Sequence, residues 1–330
     1  MTRFSLIASA IASLLAAVHG GLAPALAQDS FPIRPIRIVL PLPAGSAPDV
    51  LTRVVAEQLG GNLGQQVIVE NRPGGGGAIA AQAVASAPPD GYTLLLGVSS
   101  IWTILPAQKN KLALDVNRDL TQVGMIVGGI PIHLAVSPKL GVKSFAEFAA
   151  LARSKPAEIV IGTNGVGTLP YFAALALAKK GDLPITVVPY NQGGTTAAIA
   201  DIMGGRVHGT IEAVSGLRGA IQAGDVKLIG VMQDKPDPLF PDVPTIGTTI
   251  PGFSMIGFMS VAAPAGTPDR VVRRLNEGLA AALKSPIVRH RFDELSFPAQ
   301  SMTPAEATTF VQNEQKRWWP LVKELDPQAR

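Results

Sequence analysis

The 330-residue sequence contains no cysteine. Disulfide bonds and thiolate metal sites are therefore excluded, and a chain of this length can bury enough apolar surface to fold without them. A large excess of one charge sign is also absent, because the chain has 28 lysines and arginines against 24 aspartates and glutamates. The charged residues are spread along the sequence and form no block. This distribution gives no support to nucleic-acid binding, which needs a concentrated basic surface.

Groups that commonly carry catalysis are few. Beyond the N-terminal segment the chain has three histidines, His133, His208 and His290, and their separation fits no metal-ligand spacing. His133 lies in an apolar run and is predicted to be a packed core residue, whereas His290 is predicted on a solvated helix face. No G-x-S-x-G elbow or H-E-x-x-H motif is present. Carboxylates such as Asp49 or Glu212 leave acid–base catalysis open, but the residues predict no metal or cofactor site.

Long apolar runs are absent except at the N-terminus. Arg3 precedes the apolar residues 4–18, and Ala25-Leu26-Ala27 fits an A-x-A cleavage site, which is the pattern of a secretory signal peptide. The run is shorter than the roughly 20 apolar residues that a membrane-spanning helix needs. We therefore predict that residues 1–27 are a signal peptide cleaved after about Ala27, and that the mature chain is exported.

Glycine and proline are abundant, at 34 and 28 residues, and they separate short apolar runs instead of forming one tract. Continuous apolar runs that alternate with helical segments are typical of an α/β fold with parallel strands buried on both faces. Capping boxes at 144–147 and 303–306, and a proline in a first turn at 267–268, predict helix starts. The predicted strands cover residues 36–40, 67–70, 93–96, 132–136, 159–161, 186–188, 227–231 and 257–261.

Small or amide-bearing residues follow several of these strands. One such loop is 44–49 after the first strand, and two similar loops cover 162–168 and 190–196. In open α/β sheets, ligands bind outside the carboxyl ends of the strands, and free N–H groups at helix N-termini favour a carboxylate or phosphate. Together the loops predict an anion-binding crevice, although any one of them could be only a tight turn.

The segment Gly75-Gly76-Gly77-Ala78-Ile79-Ala80 fits the dinucleotide-binding pattern G-x-G-x-x-A. The acidic residue that would hold a ribose at the end of the next strand is missing, because that strand ends in Gly97-Val98-Ser99-Ser100. A P-loop is excluded as well, since no Gly-Lys-Ser/Thr follows the glycines. We predict that the glycines form a close-packed turn, with direct ligand contact as the less favoured alternative.

Short motifs follow one another in a specific order along the whole mature chain. They are Pro35-Ile36-Arg37 leading to Pro43-Ala44-Gly45, then Val69-Glu70-Asn71-Arg72-Pro73-Gly74, Pro88-Pro89-Asp90-Gly91-Tyr92-Thr93, Leu239-Phe240-Pro241-Asp242-Val243-Pro244-Thr245 and Ala263-Pro264-Ala265-Gly266-Thr267-Pro268. Each motif is weak alone, but in this order the chain resembles the periplasmic solute receptors of tripartite tricarboxylate transporters, also called Bug receptors.

The resemblance implies a type II periplasmic-binding-protein fold, in which two α/β lobes with parallel-rich sheets are joined by two crossing segments. Lobe one would comprise residues 34–130 and 256–330, and lobe two residues 131–255. The lobes would close on a small organic anion by bending near 128–132 and 253–257, where several glycines lie. The alternative is that these glycines only permit close packing.

The family's ligand loops imply a set of binding residues in both lobes. A carboxylate would be held by the first loop's backbone and by ordered water, while lobe two would select the rest of the ligand. Pro48 interrupts the family pattern and removes one N–H donor, so we expect Ser46 to supply a hydroxyl. Asp49 would orient the loop or contact a ligand amine. The implied ligand-binding residues are Ala44, Gly45, Ser46, Ala47, Asp49, Ser99, Ser100, Asn164, Gly165, Gly167, Thr168, Tyr190, Asn191, Gly193, Gly194 and Glu212.

The expected function is that of a monomeric periplasmic receptor, not an enzyme, which needs no cofactor and binds no nucleic acid. It would capture a small carboxylate-bearing anion and deliver it to integral-membrane permease subunits. Two alternatives stay open: an exported enzyme that acts on an organic acid, and a ligand-sensing receptor for a signalling partner.

Overall fold

The computed structural model describes residues 31–108 and 114–325. The predicted signal peptide, residues 1–27, lies outside the described residues. Within the described part, no helix combines the length and the apolar character that crossing a membrane would require.

The described residues form ten strands and eleven α-helices. The strands are β1 (Ile36–Leu40), β2 (Val67–Asn71), β3 (Thr93–Val98), β4 (Leu120–Val136), β5 (Val160–Asn164), β6 (Thr186–Tyr190), β7 (Gly209–Ala213), β8 (Lys227–Val231), β9 (Ile256–Pro264) and β10 (Ala299–Met302). The helices are α1 (Ala47–Leu63), α2 (Ala78–Ala85), α3 (Ser99–Thr103), α4 (Val116–Asp119), α5 (Phe145–Ser154), α6 (Leu169–Lys180), α7 (Gly194–Met203), α8 (Val214–Ala223), α9 (Asp269–Lys284), α10 (Pro286–Glu294) and α11 (Pro304–Leu325).

The strands are hydrogen-bonded in the order β2-β1-β3-β9-β4-β7-β5-β6, and β8 and β10 also pair with β4. The long strand β4 joins two half-sheets, because its residues 120–131 pair with β9 and its residues 132–136 with β7 and β8. Strands β1, β2 and β3 are parallel to one another in the first half-sheet, as are β5, β6 and β7 in the second. The two-lobed α/β architecture is thus confirmed.

The sheet is mixed, because β9 pairs antiparallel with both β3 and β4, and β4 pairs antiparallel with β7. Strands β4 and β9 lie side by side where they pass between the half-sheets, with Ile130 opposite Gly257. Close packing accounts for Gly257 here, since a Cβ atom there would lie 3.2 Å from Ile130 Cβ. The bending of these segments and the exact lobe boundaries stay predictions.

Local sequence signals account for the element ends and the core. Helix α11 begins with the predicted capping box, in which Thr303 N–H donates to the Glu306 carboxylate at 2.8 Å and Glu306 N–H donates to Thr303 Oγ1 at 3.3 Å. Pro268 was predicted in the first turn of a helix, but it lies at the N-cap of α9, one residue before that turn. Helix α1 ends at Leu63 and is capped by Gly64, whose φ of 73° is the left-handed conformation that glycine adopts at low cost. The buried side chains of β1 and β3 confirm the predicted core strands.

Candidate functional site

The first loop, residues 44–49, follows β1 and runs into the N-terminus of α1, and the carboxylate of Asp49 holds it in place. Oδ2 of Asp49 accepts from the Gly45 N–H at 2.9 Å and from Arg53 Nε at 3.1 Å. Its Oδ1 accepts from Asn71 Nδ2 at 2.8 Å. Asp49 is 3% exposed, so its oxygens are directed at the chain itself. Of the two predicted roles, this geometry supports orientation of the loop.

Asp49 is ionised at neutral pH. Burial alone would raise the pKa of this carboxyl, but hydrogen bonds from Arg53, Asn71 and Gly45 and the charge of Arg53 outweigh burial and lower it. Asn71 also donates to Leu42 O at 3.0 Å, so it fixes both the chain just before the loop and the carboxylate. The sequence interpretation missed Arg53 and Asn71 as site residues. The i,i+4 spacing of Asp49 and Arg53 was the available signal, whereas Asn71 needed the pairing of β1 with β2.

The N-terminus of α1 presents backbone donors beside this loop. The N–H groups of Ala47 and Asp49 lie in the first turn and have no intrahelical acceptor, while Pro48 has no N–H. The Ser46 hydroxyl, expected to donate to a ligand, instead donates to the carbonyl of Pro43 at 2.8 Å. Backbone N–H groups and the positive end of the helix dipole are therefore what this loop offers to an anion.

Next to the first loop, Ser99 and Ser100 are buried at the start of α3. Ser100 Oγ donates to the carbonyl of Gly76 at 3.0 Å. Gly76 belongs to the glycine turn, Gly74–Gly77, whose four residues all have positive φ. A Cβ atom at Gly77 would lie 2.5 Å from Ile101 Cγ1. The predicted close-packed turn is confirmed.

In the second half-sheet, Asn164, Thr195 and Glu212 form what we call the carboxyl cluster. Asn164 Nδ2 donates to Glu212 Oε2 at 2.5 Å. Thr195 Oγ1 lies 2.8 Å from the same oxygen and 3.0 Å from Asn164 Oδ1. Glu212 Oε1 accepts from the Ala213 N–H at 2.8 Å, at the N-terminus of α8. Thr195 was not among the predicted site residues, although it lies in the loop that the sequence had singled out.

The charge of the carboxyl cluster differs from that of the first loop. Burial raises the pKa of Glu212 and outweighs the hydrogen bonds from Ala213, Thr195 and Asn164, which lower it. No lysine or arginine donates a hydrogen bond to this carboxyl among the described contacts, whereas Arg53 does so to Asp49. A proton therefore stays on Glu212 to a higher pH than on an exposed glutamate.

The other predicted lobe-two residues shape the loops around this cluster. Asn191 Oδ1 accepts from the Val166 N–H at 3.2 Å, and Thr168 Oγ1 donates to Gly165 O at 2.8 Å while capping α6. Gly193 and Gly194 have φ values of 72° and 48° and begin α7. A Cβ atom at Gly194 would lie 2.6 Å from Asn164 Oδ1, so glycine permits the close approach of α7.

Tyr190 pairs with Asn164 in the register of β5 and β6, but its hydroxyl makes its hydrogen bond outside the carboxyl cluster. Its hydroxyl donates to Asp201 Oδ2 at 2.5 Å, and its ring packs against an apolar cluster that includes Ile202 and Val207. Burial and the hydrogen bond to Asp201 raise the pKa of Tyr190 to about 12. In this structure the tyrosine hydroxyl supports α7, and the carboxyl cluster is built from the amide, the threonine and the glutamate.

The histidines do not assemble a catalytic group among the described residues. His133 is 0% exposed, lies 3.2 Å from Asp237 Oδ2 and packs edge-on against Phe240, which confirms the predicted core position. The side chain of His290 is 75% exposed on α10, also as predicted. Nowhere in the described ranges do three His, Asp or Glu side chains converge as metal ligands would.

Comparison with known proteins identifies the family to which the chain is similar. Residues 51–326 match the profile of the tripartite tricarboxylate transporter family receptor. The chain is 32% identical over 310 residues to Protein BugT of Bordetella pertussis, covering 92% of this chain and 93% of the relative.

Solved structures agree with this match. The R. palustris protein Rpa4515 with adipate superimposes with a TM-score of 0.79 at 30% identity, covering 89% of this chain and 98% of the other. MatC from Rhodopseudomonas palustris with bound malate gives a TM-score of 0.77 at 30% identity, covering 88% and 100%. Since the family profile spans most of the sequence, the chain belongs to the tripartite tricarboxylate transporter receptor family.

Proposed function

We propose that this chain is a periplasmic receptor that binds a dicarboxylate between the first loop and the carboxyl cluster. The observation that carries the proposal is the first loop itself, in which a buried, ionised Asp49 holds the backbone and leaves the donors of the α1 N-terminus for an anion. Relatives of about 30% identity are described with adipate and with malate, which are both dicarboxylates.

One carboxylate of the ligand is assigned to the N–H groups of Ala47 and Asp49. Its negative charge is stabilised by the helix dipole, and ordered water replaces the donor that Pro48 lacks. Ionised Asp49 does not contact it, because two carboxylates repel each other and the oxygens of Asp49 already accept hydrogen bonds from the chain.

The other end of the ligand is assigned to the carboxyl cluster. An ionised Glu212 would repel a second carboxylate, whereas a protonated Glu212 can donate a hydrogen bond to it. The raised pKa of Glu212 supports the protonated form in a closed, dry cleft. Asn164 and Thr195 then select the length and polarity of the ligand, because a polar group left unpaired by a wrong ligand costs about 1–3 kcal/mol.

The loaded receptor delivers its ligand to integral-membrane permease subunits. Cleavage after about Ala27 releases it into the periplasm, and the lobes, residues 34–130 with 256–330 and residues 131–255, close by bending where β4 and β9 cross. Family membership supports this transport role over the exported enzyme and the signalling receptor.

Titration calorimetry of the purified protein tests the ligand class. Adipate and malate are compared with adipamide, which keeps the length of adipate and removes both charges. We expect at least one dicarboxylate to bind and adipamide not to bind. Saturation at 100 times the dissociation constant would add about 2.7 kcal/mol of stability in thermal unfolding. Equal binding of adipamide would refute the proposal. NMR spectra of each acid incubated with the protein supply a second test, since conversion of an acid to a product would also refute it.

A further inference from the structure

Two glycines from opposite lobes touch through their backbones. Gly76 lies in the glycine turn of the first half-sheet, and Gly167 lies in the loop that follows β5 in the second. A Cβ atom at Gly76 would be 2.9 Å from the carbonyl oxygen of Gly167, closer than Cβ atoms approach such an oxygen in folded proteins. From the other side, a Cβ atom at Gly167 would be 3.4 Å from the Cα of Gly76.

Each glycine is fixed within its own lobe. The carbonyl of Gly76 accepts from Ser100 Oγ at 3.0 Å, and the next residue, Gly77, packs on Ile101. On the other side, the loop containing Gly167 is held by the bond from Val166 N–H to Asn191 Oδ1 at 3.2 Å. Neither backbone can move aside without breaking these contacts, so a methyl group added at Gly76 would have to separate the lobes.

One of the two glycines lies in the same loop as a proposed ligand-binding group, and the other is hydrogen-bonded to an implied one. Gly167 is three residues from Asn164 of the carboxyl cluster, and Gly76 accepts a hydrogen bond from Ser100 in α3, the helix after β3. The spacing between Gly76 and Gly167 therefore sets the spacing between the ligand groups of the two lobes. This step rests on the proposed function, in which those groups bind opposite ends of one ligand.

We propose that Gly76 and Gly167 form a closure stop, the backbone contact that fixes how far the two lobes approach each other. The absence of a side chain at Gly76, where a Cβ atom would clash with the Gly167 carbonyl, permits the fully closed cleft. The glycine run, which resembled a dinucleotide motif in the sequence, thus acts through its lack of a Cβ atom at the lobe interface instead of holding a phosphate.

The experiment uses the absence of cysteine from the sequence, since two introduced thiols are then the only ones. Ile79 and Val166 are 55% and 52% exposed and flank the two glycines, one in each lobe. From their positions along the chain, the Ile79→Cys and Val166→Cys thiols lie within about 15 Å of each other when the glycines touch. A bis-maleimide of that length can cross-link the two thiols. Its cross-linking rate, measured without any ligand, shows how closely the two lobes approach each other.

We expect Gly76→Ala to slow cross-linking by about tenfold or more, and Gly167→Ala to slow it by a smaller factor, because its added Cβ would stand at contact distance, 3.4 Å, from Gly76 Cα. The matched control is Gly75→Ala, in the same turn. Gly75 has a φ of 58° against 63° for Gly76, so the backbone strain is similar, but its added Cβ would meet only Ala78 of its own lobe, at 3.3 Å. This control should cross-link at the parent rate. Circular dichroism identifies any variant that fails to fold, and Gly167→Ala then serves in place of Gly76→Ala.

Two results would overturn the closure stop: the absence of cross-linking in the parent pair, or equal rates for Gly76→Ala and Gly75→Ala. A calorimetric arm with adipate and malate separates this result from the proposed function. If neither acid binds the parent protein while the cross-linking rates differ as expected, the dicarboxylate assignment fails and the closure stop stands. If an acid binds, its dissociation constant should rise at least about tenfold in Gly76→Ala and less than threefold in Gly75→Ala.

Discussion

The first loop and the carboxyl cluster both contain a carboxyl group from the chain, but the two groups have opposite environments. Asp49 accepts a hydrogen bond from a half-exposed arginine, and its pKa is lowered. Glu212 is surrounded by an amide, a hydroxyl and a backbone N–H, and its pKa is raised. Asp49 therefore serves as a structural anchor for backbone donors, whereas the protonation of Glu212 can change with its surroundings.

The comparison predicts distinct consequences for binding. Backbone donors recognise the charge of a carboxylate without reading the rest of the ligand, so disturbing the first loop should weaken all acids alike. In the proposed function, side chains in the carboxyl cluster contact particular ligand groups, so changes there should alter the order of preference. Variants in the first loop and in the carboxyl cluster test this division of roles.

The largest effect is expected from Asp49→Asn. The amide cannot accept from Gly45, Arg53 and Asn71 together, so buried donors lose their partner, at a cost of about 2 kcal/mol in unfolding free energy. Urea unfolding measures this loss. Calorimetry should show affinities for adipate and malate that fall by a similar factor of about ten or more.

The control for Asp49→Asn is Asp119→Asn, which removes an ion pair with exposed Arg118 outside the site. It should cost less than about 1 kcal/mol. If Asp49→Asn changed the ranking of the acids while leaving stability intact, the anchoring role would be wrong.

Thr195→Val should alter selectivity. The substitution keeps the shape of the side chain and removes the hydroxyl that lies between Asn164 and Glu212. We expect the ratio of the adipate and malate dissociation constants to change by about tenfold, since one unpaired polar group costs about 1–3 kcal/mol. The exposed neighbour Thr196→Val is the control and should leave the ratio unchanged. A uniform weakening of both acids would contradict the division of roles.

The opposite pKa shifts predict opposite pH responses. Above the ordinary value of 4.5 for a glutamate, folded Glu212 keeps a proton that the unfolded chain has released, so stability falls as pH rises through its raised pKa. Glu212→Gln should remove that fall. For Asp49, stability is present above the ordinary value of 3.8 and is lost as pH falls through the lowered pKa.

Thermal unfolding from about pH 3 to pH 8 measures both responses. The difference between parent and Glu212→Gln should develop above pH 4.5, and that between parent and Asp49→Asn should shrink as pH falls below 3.8. Parallel curves for parent and Glu212→Gln would show that Glu212 titrates as an ordinary exposed group.

The smallest effect is expected from Ser46→Ala. Its hydroxyl donates to the carbonyl of Pro43, so the substitution should cost about 1 kcal/mol or less and weaken every acid by less than about threefold. Ser154→Ala is the matched control, because Ser154 Oγ makes the same type of bond to Leu151 O at 2.8 Å, outside the site. A loss well beyond the control would indicate that Ser46 contacts the ligand directly.

Local sequence patterns predicted some features of the molecule and not others. The apolar runs of β1 and β3, the capping box of α11 and the buried position of His133 followed from local pattern, since periodicity and turn chemistry act over a few residues. The role of Asn71 did not follow, because it depends on the parallel pairing of β1 with β2, which brings Asn71 to Asp49 across 22 residues of sequence. Ser46 was expected to face a ligand, but its hydroxyl donates a hydrogen bond to the carbonyl of Pro43, three residues earlier.

By itself, the sequence determined the α/β class and the family and singled out the loops of the candidate site, because strand and turn signals are local and the family motifs occur in a fixed order. Only the tertiary structure decided which groups within those loops meet. The environments of Asp49 and Glu212, and the contact of Gly76 with Gly167, depend on atoms brought together from distant segments. Burial, hydrogen bonding and steric approach are set by that three-dimensional packing, so the chemistry of the site is a property of the folded chain.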